Sequence, residues 1–330
     1  MITGETLNIH EKFFSKIGFN YLIFAISALI MQVIVVNVIG ITNSSLLGNF
    51  NVITIISAIC NYILPFPILF YLMKKIEVQK LEKQNLNIKT FLLYLGITFT
   101  LMWIGNIIGL AITSIIGNAF HTSITNPVQR LINSSDIMLN LMLVSIIGPI
   151  FEEIFFRKFL IDRTIRYGAR VSIIISAIIF GFFHGNISQF FYAFLLGGFF
   201  AYVYIKTGKI IYTIALHIIV NLMGSVVSVI VVKSAQTLLS NAYAPTDLAI
   251  VVIYMIIILS ALLIGIIGLS RYKKARFNGA KTQIALDNPL KTILLNPGMI
   301  FLILFFISEI IYMLLHWLLN YFNPKSPEQR

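Results

Sequence analysis

The sequence predicts an all-α polytopic integral membrane bundle of about eight or nine transmembrane segments, and three observations carry that prediction. Hydrophobic residues make up 58% of the 330-residue chain and charged residues only 11%, whereas soluble domains carry about a quarter charged residues. Apolar runs long enough to cross a hydrocarbon core about 30 Å thick recur from end to end. The basic residues gather in alternate short loops, as the positive-inside rule requires of a multi-pass protein. The spans read as helices, because backbone groups in lipid must be satisfied within their own segment and no barrel-like alternation appears.

The opening residues, MITGETLNIHEKFFSKIGFN, are polar and mixed in charge. The apolar run after them, 17–41, is too long for a signal-peptide core and reads as a retained span. Further segments follow at 51–73, 91–116, 137–157, 171–184, 190–205, 210–232, 248–270 and 299–321. Cys60, the single cysteine, lies inside the second and reads as a packed small hydrophobe. The fifth and sixth are short and joined by the uncharged GNISQ. Fourteen helical residues rise only about 20 Å, so this pair predicts a hairpin whose tip, with His184, ends inside the bilayer. Residues 1–330 read as one integral domain without repeats.

The net charge of +12 does not indicate nucleic acid, because of where the charges lie. Lys12 and Lys16 precede the first span, and Lys74, Lys75, Lys80, Lys83 and Lys89 fall between the second and third. Arg157, Lys158, Arg163, Arg166 and Arg170 follow the fourth; Lys206 and Lys209 follow the sixth; and six more lie within 271–298. These loops suit anionic membrane lipids and predict a cytoplasmic N-terminus and an outside C-terminus in the cell membrane.

Few acids or histidines fall within apolar segments: Glu152, Glu153, Glu309, His184, His217 and His316. A charge at mid-bilayer costs from about 3 to more than 10 kcal/mol, so such residues are functional candidates. In EEIFFR, Glu153 and Arg157 are spaced i, i+4 with the acid N-terminal, the favourable order for an ion pair. Glu152 is turned about 100° away and has no local partner. Pro149, just upstream, removes a helical hydrogen bond and makes room there. Phe180 and His184 are one turn apart, as are His217 and Asn221. Each of these signals also fits a purely structural contact.

Counted at 1.5 Å per residue, Glu152 lies about 8 Å and His217 about 10 Å from the basic-loop ends of their segments, and His184 about 20 Å. Tilting of the hairpin, or a fourth helix running past Arg157, closes that gap. A carboxylate, two imidazoles and a carboxamide brought together can activate water and stabilise an oxyanion. The same atoms can instead hold zinc, with Glu152, His184 and His217 as ligands.

The motifs resemble those of the CPBP intramembrane proteases, the group of CAAX prenyl endopeptidases and bacteriocin-processing or immunity proteins also called Abi. EEIFFR resembles its EExxxR motif, FGFFH its FxxxH and HIIVN its HxxxN, in the same order. The resemblance spans about 137–225, flanked by helices at 17–116 and 248–321. Lys158 departs from a glycine frequent there. The resemblance implies Glu152 as the water-activating base, His184 as its partner, and His217 with Asn221 as the oxyanion or ligand pair. Glu153 and Arg157 then shape the site and Phe180 packs beside it. It also implies zinc as a cofactor and a peptide or protein substrate.

The reading is thus an intramembrane endopeptidase acting near the cytoplasmic face on hydrophobic or lipidated peptides such as pheromone or bacteriocin precursors. One alternative is a non-catalytic immunity or scaffold protein of the same fold. Another is a proton-coupled transporter, which calls for inverted repeats. Glu309 and His316, seven residues apart and on nearly one face, are secondary candidates for substrate access.

Overall fold

The computed structural model describes residues 4–120, 126–240, 244–272 and 284–322. Their regular structure is helical, and eight helices are long and apolar enough to span a membrane. In chain order they include α1 (Ile9–Gly48), α2 (Phe50–Lys74) and α3 (Ile88–Ala119). A short amphipathic α4 (Pro127–Ser134) precedes α5 (Ile137–Tyr167), and the shorter α6 (Ala169–Phe182) follows it. Then come α7 (Ile187–Thr207), α8 (Ile210–Leu239), α9 (Pro245–Arg271) and α10 (Pro297–Leu315).

The chain is multi-pass, as expected, but the connection read at 157–170 is different. Helix α5 continues to Tyr167, because its charges are satisfied inside the bundle. Asp162, only 2% exposed, pairs with Lys158 at 2.6 Å and accepts from the Tyr204 hydroxyl at 2.7 Å. Arg163 donates to the Met73 carbonyl at 2.7 Å and to Phe159 at 2.9 Å. A charged run that resembles a loop in sequence is therefore the buried end of a helix.

At Gly168, with φ of 95°, the chain reverses and α6 returns along α5. Thr164 donates to Ser172 at 3.0 Å, and further in Arg157 reaches Ser176 at 3.1 Å. Glu152 and His184 stand equally far along the two arms, which closes the depth gap in the way a longer fourth helix would. The short hairpin is present: Asn186 caps α7 by accepting from Gln189, and Gly185 turns the chain with φ of 64°.

Close crossings set the remaining frame. In GNIIG on α3, a Cβ at Gly105 would stand 2.3 Å from Tyr192 Cα, and one at Gly109 2.5 Å from the Ser188 carbonyl oxygen. The pair thus lets α7 lie directly on α3, the small-xxx-small contact of membrane helices. One apolar cluster joins α1, α5, α6 and α10; a second joins α3, α7, α8 and α9.

The two ends of the bundle are distinct. At the basic end the loops are tied together, with Gln79 N–H donating to Asp162, Gln84 to Thr207 and Ile284 to Arg166 carbonyls. At the other end Asn51 donates to Asp136, and the hydroxyls of Thr54 and Ser135 meet at 2.7 Å.

Candidate active site

The backbone of α5 widens on either side of the glutamates. Wide, π-type turns occupy Asn140–Ile147 and Ile154–Phe159, bracketing Gly148–Glu153 and its Pro149. Such turns are frequent at functional sites and leave carbonyls short of helical partners. Neighbouring helices claim them. Tyr21 donates to Phe155 at 2.6 Å, Ser176 to Phe156 at 3.1 Å and Asn221 to Val144 at 3.0 Å.

The adjacent glutamates have separate environments. Glu153 is fully buried and holds the equally buried Arg157 at 3.0 Å. It also bonds His217 Nδ1 at 2.9 Å. The guanidinium lies 4.7 Å over the Phe180 ring. Glu153 is thus committed to structure, as its spacing from Arg157 predicts. Glu152, 16% exposed at its side chain, accepts from the Tyr62 hydroxyl at 2.7 Å and faces His217 Nε2 at 3.7 Å. It lacked a partner within its own helix; the partners come from α2 and α8.

Each imidazole is oriented through Nδ1. A backbone carbonyl only accepts, so the 3.0 Å contact of His184 Nδ1 with Phe180 O fixes a proton on Nδ1 and leaves Nε2 for chemistry. The Glu153 carboxylate does the same for His217. Phe180 sits edge-on to both rings, with centroids at 5.0 Å from His184 and 5.8 Å from His217.

Glu152, His184, His217 and Asn221 all line one cavity of about 540 Å³, together with Phe180, Tyr62 and Glu309. The structure therefore brings the four expected side chains to one space, with Glu153 and Arg157 behind them. One amide proton of Asn221 is spent on Val144, and the other remains. Glu309 reaches the same cavity from α10; the side chain of His316 lies outside the described residues. Zinc on Glu152, His184 and His217 needs three donors gathered about one point. Among the described residues no such group of three His, Cys, Asp or Glu is gathered, so these side chains as placed do not fit a zinc ion.

Tyr62 escaped the sequence reading. It lies far from the motifs, in NYILPFP, and its only signal there is a hydroxyl ahead of Pro65 in an apolar run. Gly148 is what admits it: a Cβ there would stand 3.2 Å from Tyr62 Oη.

With Phe155 and Phe156 as its floor beside Glu152, the cavity extends away from the basic loops. Its wall includes Gln32, Thr54 and Ser57 of α1 and α2, Asn106 of α3, and Asn126, Gln129 and Ile132 in and before α4. Among the described residues of the basic loops, none lines it. Among the described residues the lining extends away from those loops, whereas the depth count placed the site toward them; that count took Arg157 as the end of α5.

Residues 134–223 match the family model described as type II CAAX prenyl endopeptidase Rce1-like. That segment holds all three motifs and agrees with their resemblance to CPBP/CAAX proteases. The match supports a CAAX-type intramembrane endopeptidase, and hence a peptide or protein substrate. Neither the curated proteins nor the solved structures give a significant match.

Proposed function

We propose that the CAAX-endopeptidase-type segment hydrolyses a peptide bond in a hydrophobic or lipidated peptide, using water activated by Glu152. The observation that carries this is the division of labour between the two glutamates. Glu153 is neutralised by Arg157 and fully buried, while Glu152 faces the cavity between Tyr62 and His217.

Glu152 takes a proton from water as the oxygen attacks the scissile carbonyl carbon. Negative charge grows on the carbonyl oxygen, and the free amide proton of Asn221 is the nearby neutral donor for it, while the Tyr62 hydroxyl stays committed to Glu152. His217, when protonated on Nε2, adds a positive charge held in place by Glu153. The proton held by Glu152 then passes to the leaving amine, directly or through His184 Nε2. The 3.7 Å between Glu152 and His217 exceeds a direct hydrogen bond, and such contacts commonly tighten only with substrate bound.

Phe180 keeps both imidazoles upright, and Glu309 bears on substrate access from the cavity wall. The basic end rests against anionic headgroups, with the N-terminus cytoplasmic and the C-terminus outside. The substrate class extends to pheromone- or bacteriocin-type precursors.

The test is purified protein in liposomes with a library of hydrophobic peptides. Cleavage by the native protein, lost in Glu152→Gln at equal folded amount, supports the reading. Undiminished cleavage in that variant overturns it. A non-catalytic scaffold predicts that a cellular phenotype survives the substitution.

A further inference from the structure

We infer that Glu152 is reached from the membrane face opposite the basic loops, so that the substrate is a peptide segment presented at that face. The access claim stands on geometry alone; only the word substrate rests on the endopeptidase reading.

The first observation is the cavity's extent. From Glu152, His184 and His217 it runs past Ser57 and Gln32 to Thr54, Asn126 and Gln129. Thr54 and Asn126 belong to the end where Thr54 meets Ser135 and Asn51 meets Asp136. Amides and hydroxyls line the path, as a route for water through apolar helices requires.

The second is what lies on the other side of the glutamates. On the basic-loop side of the glutamates, Phe155 and Phe156 floor the cavity, and they, Phe14, Tyr21, Leu160 and Phe200 are each no more than 2% exposed. Their rings interlock: Phe155 with Phe156, and Tyr21 with Phe156. Below them the Lys158–Asp162–Tyr204 set and Arg163 with Met73 close the ends of α5, α7 and α2. Packed interiors of this kind hold few voids as large as a water molecule. Hydrolysis consumes water and releases two peptide ends, and this layer offers a passage to neither.

The third concerns charge. Glu152 and Glu309 line the cavity, and no Lys or Arg does among the described residues. A free C-terminal carboxylate brought beside Glu152 would meet like charge, with no lysine or arginine among the described lining residues to offset it. Neutral or cationic segments suit the wall better, their amide groups pairing with Gln32, Asn106 and Gln129. Since the basic loops mark the cytoplasmic side, the class is an internal segment of an exported hydrophobic peptide, or the outer end of a membrane-embedded one.

Cys60 is the chain's single cysteine, which makes the test direct. In a Cys60→Ala protein, cysteines are introduced singly at Gln32, Ser57 and Gln129 along the path, and at Lys80 and Lys83 in a basic loop. A membrane-impermeant maleimide is applied to intact cells and to inverted vesicles. We expect the first three to label from one face and the two loop positions only from the other. Labelling of Gln32→Cys and Ser57→Cys from the same face as Lys80→Cys would overturn the inference. The exposed Gln129→Cys reports folding and orientation if a deeper variant fails.

Protein carrying both Glu152→Gln and Ser57→Cys is then labelled with and without a bound hydrophobic peptide, and protection of the Ser57→Cys position is read. An amidated C-terminus should slow labelling more than a free carboxylate; equal protection would overturn the charge argument. Because labelling needs no turnover, absence of cleavage would sink the peptidase reading while leaving the access result to stand or fall by itself.

Discussion

Substituting the two adjacent glutamates separately should split stability from chemistry. In Glu153→Gln, the Arg157 guanidinium keeps its full burial but loses the carboxylate at 3.0 Å, and His217 Nδ1 loses its anionic acceptor at 2.9 Å. Removing one partner of a buried ion pair costs about 3–5 kcal/mol, because the other charge is left uncompensated. The Phe180 ring beneath the guanidinium at 4.7 Å is in contact with it before and after the substitution, so this cation–π contact offsets none of the loss. The predicted loss is therefore the full ion-pair term. Glu152→Gln, by contrast, keeps a hydrogen-bonding group beside Tyr62 and faces the cavity, so its cost should stay under about 1 kcal/mol. The assay is reversible unfolding in mixed micelles by detergent titration, alongside peptide cleavage. Adding Arg157→Met to Glu153→Gln should restore much of the lost stability, since no lone buried charge remains. Equal stability losses for the two glutamates, or a larger loss at Glu152, would refute the assignment of structural and reactive roles.

Four further outcomes follow from the same geometry. Tyr62→Phe removes the 2.7 Å donor to Glu152 and should slow cleavage roughly ten- to a hundredfold, the rate equivalent of a hydrogen bond to a charged group, with folding intact by thermal melt. Gly105→Val drives a side chain into Tyr192 and should lower the yield of folded protein measured by gel filtration, whereas Gly40→Ala, whose Cβ would meet only Leu47 Cδ1 at an ordinary 3.7 Å, should not. Glu309→Gln should alter KM for cationic peptides while leaving kcat for neutral ones unchanged, in steady-state kinetics. Because three donors are not gathered about one point, cleavage should survive dialysis against a chelator; loss restored by zinc would mean that Glu152, His184 and His217 close on an ion during turnover.

Much of this architecture is legible in the sequence, for identifiable reasons. Spans announce themselves because lipid tolerates little but apolar side chains, and the few polar exceptions are therefore conspicuous. Glu152, His184, His217 and Asn221 stand out on that ground, and they do meet in one cavity. The Glu153–Arg157 pair follows from helical spacing alone. Residues 157–167 were opaque because their charges are neutralised by partners distant in sequence, Tyr204 and the Met73 carbonyl, which no local pattern signals. Taking Arg157 rather than Tyr167 as the end of α5 also placed Glu152 too near that end of the helix. Tyr62 was hidden for a related reason: its contact depends on a glycine in another helix.

Cleavage of a hydrophobic peptide in water enriched in oxygen-18, followed by mass spectrometry of the new C-terminus, tests the central claim most directly. One heavy oxygen in the new carboxylate, formed by the native protein and not by Glu152→Gln, is the predicted result. No cleavage by the native protein, or heavy-oxygen product at the same rate in the variant, would contradict it.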